Sequence, residues 1–148
     1  MADLQCIEKK FNFAVIKTCK DAGCKLNLSG LQDFIVLKGE KIYKDQPVCD
    51  CIIFVKHQRL IAGVVELKSK TVDVSKVREQ LTGGLRIVSD ALQRCGIDAS
   101  SVKCYVVVFA KKWRKSEFKV ITSSRIKFRG KNLPILPKRC GDSFVAII

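Results

Sequence analysis

The stretch VCDCIIFVKHQRLIAGVVELKSK, from Val48 to Lys70, sets Asp50, Glu66 and Lys68 among apolar neighbours. Apolar side chains would pack better at such positions, so the three charges call for a chemical reason. Two carboxylates in a weakly hydrated pocket disfavour each other's ionised form unless a cation lies between them. Mg²⁺, with Mn²⁺ as a substitute, meets that need, because it is held by one or two carboxylates and keeps several waters. The backbone carbonyl of Leu67 is a further candidate ligand. Lys68 follows Glu66 on the same strand face, with Cα atoms roughly 6.8 Å apart. That separation predicts an ammonium that stands off the Glu66 oxygens and reaches a metal-bound water. The chemistry such a set performs is phosphodiester hydrolysis, in which the metal acidifies water and offsets charge on the phosphate. Lys68 would orient or deprotonate that water, or neutralise the phosphate oxygens.

These groups need elements that bring them together. Residues 49–56 and 60–68 are rich in Val, Ile, Phe and Leu and read as antiparallel strands interrupted by KHQR. A turn over His57 to Arg59 sets Asp50 directly across from Glu66, on strands about 4.8 Å apart. Alternation places Asp50, Ile52 and Phe54 on one face, with Cys49, Cys51, Ile53 and Val55 on the other; Val64, Glu66 and Lys68 share a face. Asp73 then caps a helix whose stripe is Val74, Val77, Leu81, Gly84, Leu85, Val88, Ala91 and Leu92, ending near Cys95–Gly96. Gly83 and Gly84 are small enough for this helix to lie close to the sheet or to a ligand. SVKCYVVVFA reads as a strand covered on both faces. Leu4, Ile7, Phe11 and Val15 suggest an opening helix, with FAVI as an alternative strand start, and DFIVLKG reads as a strand. FKVI and RIKF read as further strands, NLPILP as too proline-rich for a regular element, and SFVAII as an edge or docking strand. The expectation is one α/β domain over residues 1–148.

Asp50 followed by Glu66-Leu67-Lys68, ahead of a helix carrying Gln80-Leu81, resembles the PD-(D/E)XK nuclease superfamily, and within it the Holliday-junction-resolvase-like members. The resemblance covers a core of about 33–110. It implies a restriction-endonuclease-like mixed β-sheet flanked by helices, and a Mg-dependent endonuclease acting on DNA. By that likeness Asp50 and Glu66 are metal ligands, Lys68 is the catalytic lysine, and Gln80 is the polar helix residue near the metal-bound water or phosphate. Some members add an acidic residue from the first helix, for which Glu8 is the candidate. The family's proline-aspartate pair is not intact: Pro47 precedes Asp50 by three residues, with Cys49 immediately before the aspartate. A resolvase makes paired incisions, so a homodimer with two-fold symmetry is implied.

The charge fits a polyanionic partner. Lys and Arg outnumber Asp and Glu by 28 to 14, a net charge of +14, which favours nucleic acid through counterion release. DNA is the first expectation and RNA the second. Lys111, Lys112, Trp113, Arg114 and Lys115 form one basic run; Arg125, Lys127, Arg129 and Lys131 form another, set by alternation on one strand face. Their cations suit phosphates, and Trp113 suits an unpaired base. A basic nucleic-acid-binding or assembly protein without catalysis fits the same charge, and a salt-bridge network on a sheet face would use the same acids and lysine. No basic amphipathic helix points to a membrane. His57, the single histidine, lies at the turn some 20 Å from Asp50, which sets it aside as general base. The eight cysteines include no CxxC pair; without an export signal they read as small buried hydrophobes rather than a disulfide framework or a metal site. The same features favour an intracellular setting, cytoplasmic or nucleoid-associated.

Overall fold

The alternating apolar runs assemble as strands wherever they can be covered on both sides. In the computed structural model, which describes residues 2–148, the strands are β1 (Val15–Ile16), β2 (Lys20–Asp21), β3 (Cys24–Lys25), β4 (Phe34–Lys38), β5 (Cys51–His57), β6 (Arg59–Lys68), β7 (Lys103–Ala110), β8 (Arg125–Phe128) and β9 (Lys131–Arg139). The helices are α1 (Ala2–Lys10), α2 (Gly39–Ile42), α3 (Val74–Arg94) and α4 (Lys115–Ser123). Strands β2 and β3 form a separate hairpin. The other seven make one mixed sheet in the order β1-β4-β5-β6-β7-β9-β8. The ladder from β1 to β6 is antiparallel, β6–β7 and β7–β9 are parallel, and β8–β9 is a hairpin. The result is an α/β fold, and α3 supplies the crossover that parallel β6 and β7 require.

The register of β5 and β6 is the one the turn predicts. Cys51 pairs with Val65 and His57 with Arg59, leaving Gln58 alone at the tip with φ 67. Asp50 therefore stands opposite Glu66. Helix α3 starts where Asp73 Oδ1 accepts from the Lys76 N–H at 3.3 Å and ends at Cys95, after which Gly96 turns the chain with φ 61. Its glycines mark a close approach. A Cβ at Gly83 would strike the carbonyl of Pro47, and one at Gly84 would strike Val64 and Cys49.

Each face of the sheet has its own core. On the helix side Ile52, Phe54, Ala62, Val64, Val106 and Val108 pack with α1 and α3. On the other side Ile53, Val55, Val65, Leu67, Val107 and Phe109 pack with Leu26 of the segment after the β2–β3 hairpin and with Phe144 of the C-terminal segment. Strand β7 is thus buried on both faces, as its continuous apolar run requires.

Three elements differ from the sequence reading. FKVI lies in α4, because a four-residue apolar run does not distinguish strand from helix and the local capping decides. The Glu117 carboxylate accepts from the Arg114 N–H at 3.0 Å and from the Val72 N–H at 2.9 Å, pinning the start of the helix. NLPILP is the middle of β9. Residues 131–134 pair only with β8 and 135–139 only with β7. The Arg139 N–H turns away from β7 to Asp142, whereas the Cys140 N–H donates to Ala110. By alternation the imide nitrogens of Pro134 and Pro137 both face a side without a ladder, so neither proline costs a hydrogen bond. SFVAII forms a 3₁₀ turn, Phe144–Ala146, that seats the Phe144 ring against Gly63 rather than adding a strand.

The cysteine reading is corrected for six of the eight. Cys6–Cys95, Cys19–Cys51 and Cys24–Cys140 are disulfides, and Cys49 and Cys104 are free. Cysteines up to 116 residues apart in the chain are brought together only by the fold. The free-thiol ground for an intracellular setting falls with this. Cys49 also departs from its expected face: β5 begins at Cys51, so alternation does not reach it, and Cys49 packs with Gly84 on the helix side.

Candidate active site

At the end of β6 the chain gathers four of its expected site residues. Glu66 is in β6 and only 2% exposed, the one buried charged residue among those described. Its Oε1 accepts from the Asp50 N–H at 3.0 Å, and its Oε2 lies 2.8 Å from Lys68 Nζ. Asp50, just before β5, turns back along the strand edge so that its Oδ2 accepts from the Leu67 N–H at 2.7 Å. Lys68 Nζ also donates to Gln80 Oε1 on α3 at 3.3 Å. Asp50, Glu66, Lys68 and Gln80 form one connected cluster.

The Lys68 contact corrects an expectation. The ammonium does not stand off Glu66; its four-carbon stem folds back along the strand face and closes the Cα separation. Lys68 remains 22% exposed, so the pair is open to solvent at one end only.

Electrostatics follows from that burial. Burial is the largest influence on both carboxyls and raises both. Glu66 is pushed up to about 8, with the Asp50 charge adding to the rise and Lys68 opposing it. Asp50 is raised less, because the Leu67 N–H and a hydrogen bond with Glu66 stabilise its anion, while the charge of Asp21 opposes them. Without a cation the pair therefore holds a proton to higher pH than either carboxyl would alone.

Asp50 and Gln80 line a polar cleft of about 320 Å³ together with Pro47, Lys38, Tyr43 and Lys44. Sequence reasoning missed these last three and Asp21. Lys38 had a signal, since the β4–β5 register sets it across from Cys51 beside Asp50. Asp21 had none: its charge acts on Asp50 from β2, which the Cys19–Cys51 disulfide and packing on β6 hold on that side of the sheet.

The remaining candidates are dispersed. Glu8 is exposed on α1, near Cys6, which is tied to Cys95 beyond the far end of α3. Fifteen residues of helix separate Cys95 from Gln80, about 22 Å, so Glu8 does not join the cluster. His57 is exposed at the hairpin end. Lys111 adjoins the site, its N–H donating to the Lys68 carbonyl at 3.1 Å, and Lys112, Trp113 and Lys115 share a cleft with it, with Arg114 exposed alongside. Arg125 and Lys127 project from β8, but Arg129 is not on their strand face: it sits with Gly130 in the two-residue turn to β9, with φ 50. Lys131 lies roughly 26 Å along β9 from Arg139, whereas Arg139 pairs with Ala110, the partner of Lys68.

Two carboxylates and a carbonyl are what the fold offers a cation. Among the described residues no three His, Cys, Asp or Glu side chains group as a metal cage. The Leu67 N–H faces Asp50, and in an extended strand the carbonyl of the same residue faces that side too. Compared with protein-family models, with curated proteins and with solved structures, the chain matches none.

Proposed function

We propose that this chain is a Mg²⁺-dependent endonuclease that hydrolyses DNA phosphodiester bonds, at branched or otherwise structured DNA, with a restriction-endonuclease-like arrangement of sheet and helices. One observation carries the reading: Glu66, buried in β6, is joined to Asp50 and Lys68 and through Lys68 to Gln80, and Asp50 and Gln80 line a polar cleft. A salt-bridge network on an exposed face would not bury its acid or raise it this far, because water would screen it.

The residues suit the ion. With both carboxyls ionised, Lys68 offsets one negative charge and leaves another in a poorly hydrated place. Asp50, Glu66 and the Leu67 carbonyl would hold Mg²⁺, a small donor set that suits a cation retaining several waters. Bound there, the ion would acidify water and stabilise charge on the phosphate. The protein's own groups do the positioning. The Asp50 N–H and Lys68 fix the two Glu66 oxygens, and the Leu67 N–H fixes Asp50. Lys68 has only acceptors around it, Glu66 Oε2 and Gln80 Oε1, so it serves as a donor and cation aimed at the phosphate rather than as a base. Gln80 holds that ammonium from the helix side.

Incubation with linear, single-stranded, flapped and four-way-junction DNA, with Mg²⁺ or Mn²⁺, tests this. Wild type cleaves at least one substrate, and Glu66→Gln keeps fold and binding while losing cleavage. If wild type binds the whole panel and cuts nothing, the chain is a basic nucleic-acid-binding protein instead. Paired nicks in opposed junction strands would select a resolvase acting as a homodimer.

A further inference from the structure

Beside the catalytic cluster lies a second cleft, of about 880 Å³, that phosphate hydrolysis does not require. Lys111, Lys112, Lys115, Lys138 and Arg139 line it with one acid, Asp142, whose carboxylate accepts from the Arg139 N–H at 2.8 Å, and none of the five cations is ion-paired among the described residues. Between the cations sit Trp113 and Phe118, edge to face with centroids 6.2 Å apart. Phe118 is 46% exposed, one of three large apolar side chains left in solvent among the described residues.

The aromatic pair is held rather than loose. Trp113 Nε1 donates to the Lys138 carbonyl at 2.8 Å, joining the loop to β9. The loop is fixed at one end by the Lys111 N–H on Lys68 and at the other by the Arg114 N–H on Glu117. Its ring position is therefore set relative to Lys68 by two strand-end hydrogen bonds. A preorganised aromatic surface among unpaired cations recognises a flat group that carries a negative charge.

Duplex DNA offers phosphates to such a surface but hides its base faces in the stack. Only an unpaired nucleotide presents both a phosphate and a free π-face, and base stacking on protein aromatics contributes about 1–3 kcal/mol per base. We infer that the Trp113–Phe118 cleft is a single-strand binding site, taking an unpaired nucleotide on Phe118 and Trp113 with its backbone on Lys111, Lys138 and Arg139. The inference rests on the nuclease reading and sharpens it: the preferred substrate carries a single-stranded arm adjoining the scissile phosphate.

Trp113 is the only tryptophan in the chain, so its emission reports on this cleft directly. Wild-type protein in EDTA is titrated with a single-stranded oligonucleotide, a blunt duplex of equal length, and an abasic single strand. The single strand should quench Trp113 and bind about tenfold tighter than the abasic strand, and the blunt duplex should leave the emission nearly unchanged. Phe118→Ala, at an exposed position that spares the core, should remove most of the single-strand preference and leave duplex affinity as it was. Equal affinity for abasic and normal strands, or a Phe118→Ala protein that keeps the preference, would reduce the cleft to a charged surface and overturn the inference. Quenching by single strands with no cleavage of any DNA would keep this site and defeat the nuclease reading. Metal-dependent cutting of blunt duplex without single-strand quenching would do the reverse.

Discussion

The two ends of the β6–β7–β9 unit are both basic, yet they are built differently. At the end where these strands finish, Lys68 and Lys111 stand at the buried Glu66 and the half-buried Asp50, with Arg139 one strand further on, across Ala110. At the other end a cleft of about 340 Å³ is lined by Arg59, Lys103, Phe128, Arg129, Lys131 and Cys104, with no acid. The cations there are engaged with neutral groups: Arg59 Nε donates to the Ser101 carbonyl, Arg129 to Ser89 Oγ at 2.6 Å, and Lys103 lies over the Tyr105 ring. Burial pushes the Cys104 thiol up to about 12, so this end holds no ready nucleophile either. Positive charge can attract a polyanion at both ends, but only the first sets it beside a buried acid, Glu66, and that is the end where we propose the chemistry.

That contrast can be broken by substitution. Glu66→Gln should cut metal-dependent cleavage by about a thousandfold, and a cleavage assay on the preferred DNA measures it. Arg129→Ala with Lys131→Ala should leave the cleavage rate at saturating DNA within about twofold and only flatten the salt dependence of binding, by about one in slope for each lost phosphate contact. Equal losses from both changes would erase the distinction between the ends.

Acidity sharpens it. A carboxyl raised in the folded state stabilises the fold below its ordinary value, and that contribution is lost as pH climbs through the folded one. With Glu66 raised from 4.5 to about 8, and Asp50 moving the same way, the metal-free protein should lose stability across that window, by on the order of a few kcal/mol. Thermal unfolding at several pH values should show the slope, with Mg²⁺ raising Tm more at high pH than at low. Glu66→Gln should flatten both effects; an unchanged slope in that variant would place the titration elsewhere.

Smaller effects concern what positions the site. Cys19→Ser should cost about 2–4 kcal/mol in denaturant unfolding, because the lost disulfide closes a 32-residue separation. Gly84→Ala should cost about 1–3 kcal/mol, because the methyl has to displace Val64 or Cys49. Arg129→Ala alone should change stability by less than about 0.5 kcal/mol.

Much of this was legible beforehand, for local reasons. The turn length fixed the Asp50–Glu66 pairing, alternation put Glu66 and Lys68 on one face, and Asp73 with the stripe from Val77 to Leu92 defined α3 and with it Gln80. Where side chains choose among distant partners, local pattern failed. Lys68 closed on Glu66 instead of standing off, Cys49 left its expected face, and FKVI became helix because Glu117 found Arg114 and Val72.

The amino-acid order by itself determined which residues carry the charge, which strands alternate and in what register the central hairpin closes, because those depend on neighbours a few positions away. Tertiary structure alone decided that the charge of Asp21 acts on Asp50, that six cysteines pair, that Trp113 bonds Lys138, and that Arg139 pairs with the strand neighbour of Lys68. Those meetings join residues far apart in the chain, and packing of the two sheet faces selects them; no local spacing encodes them.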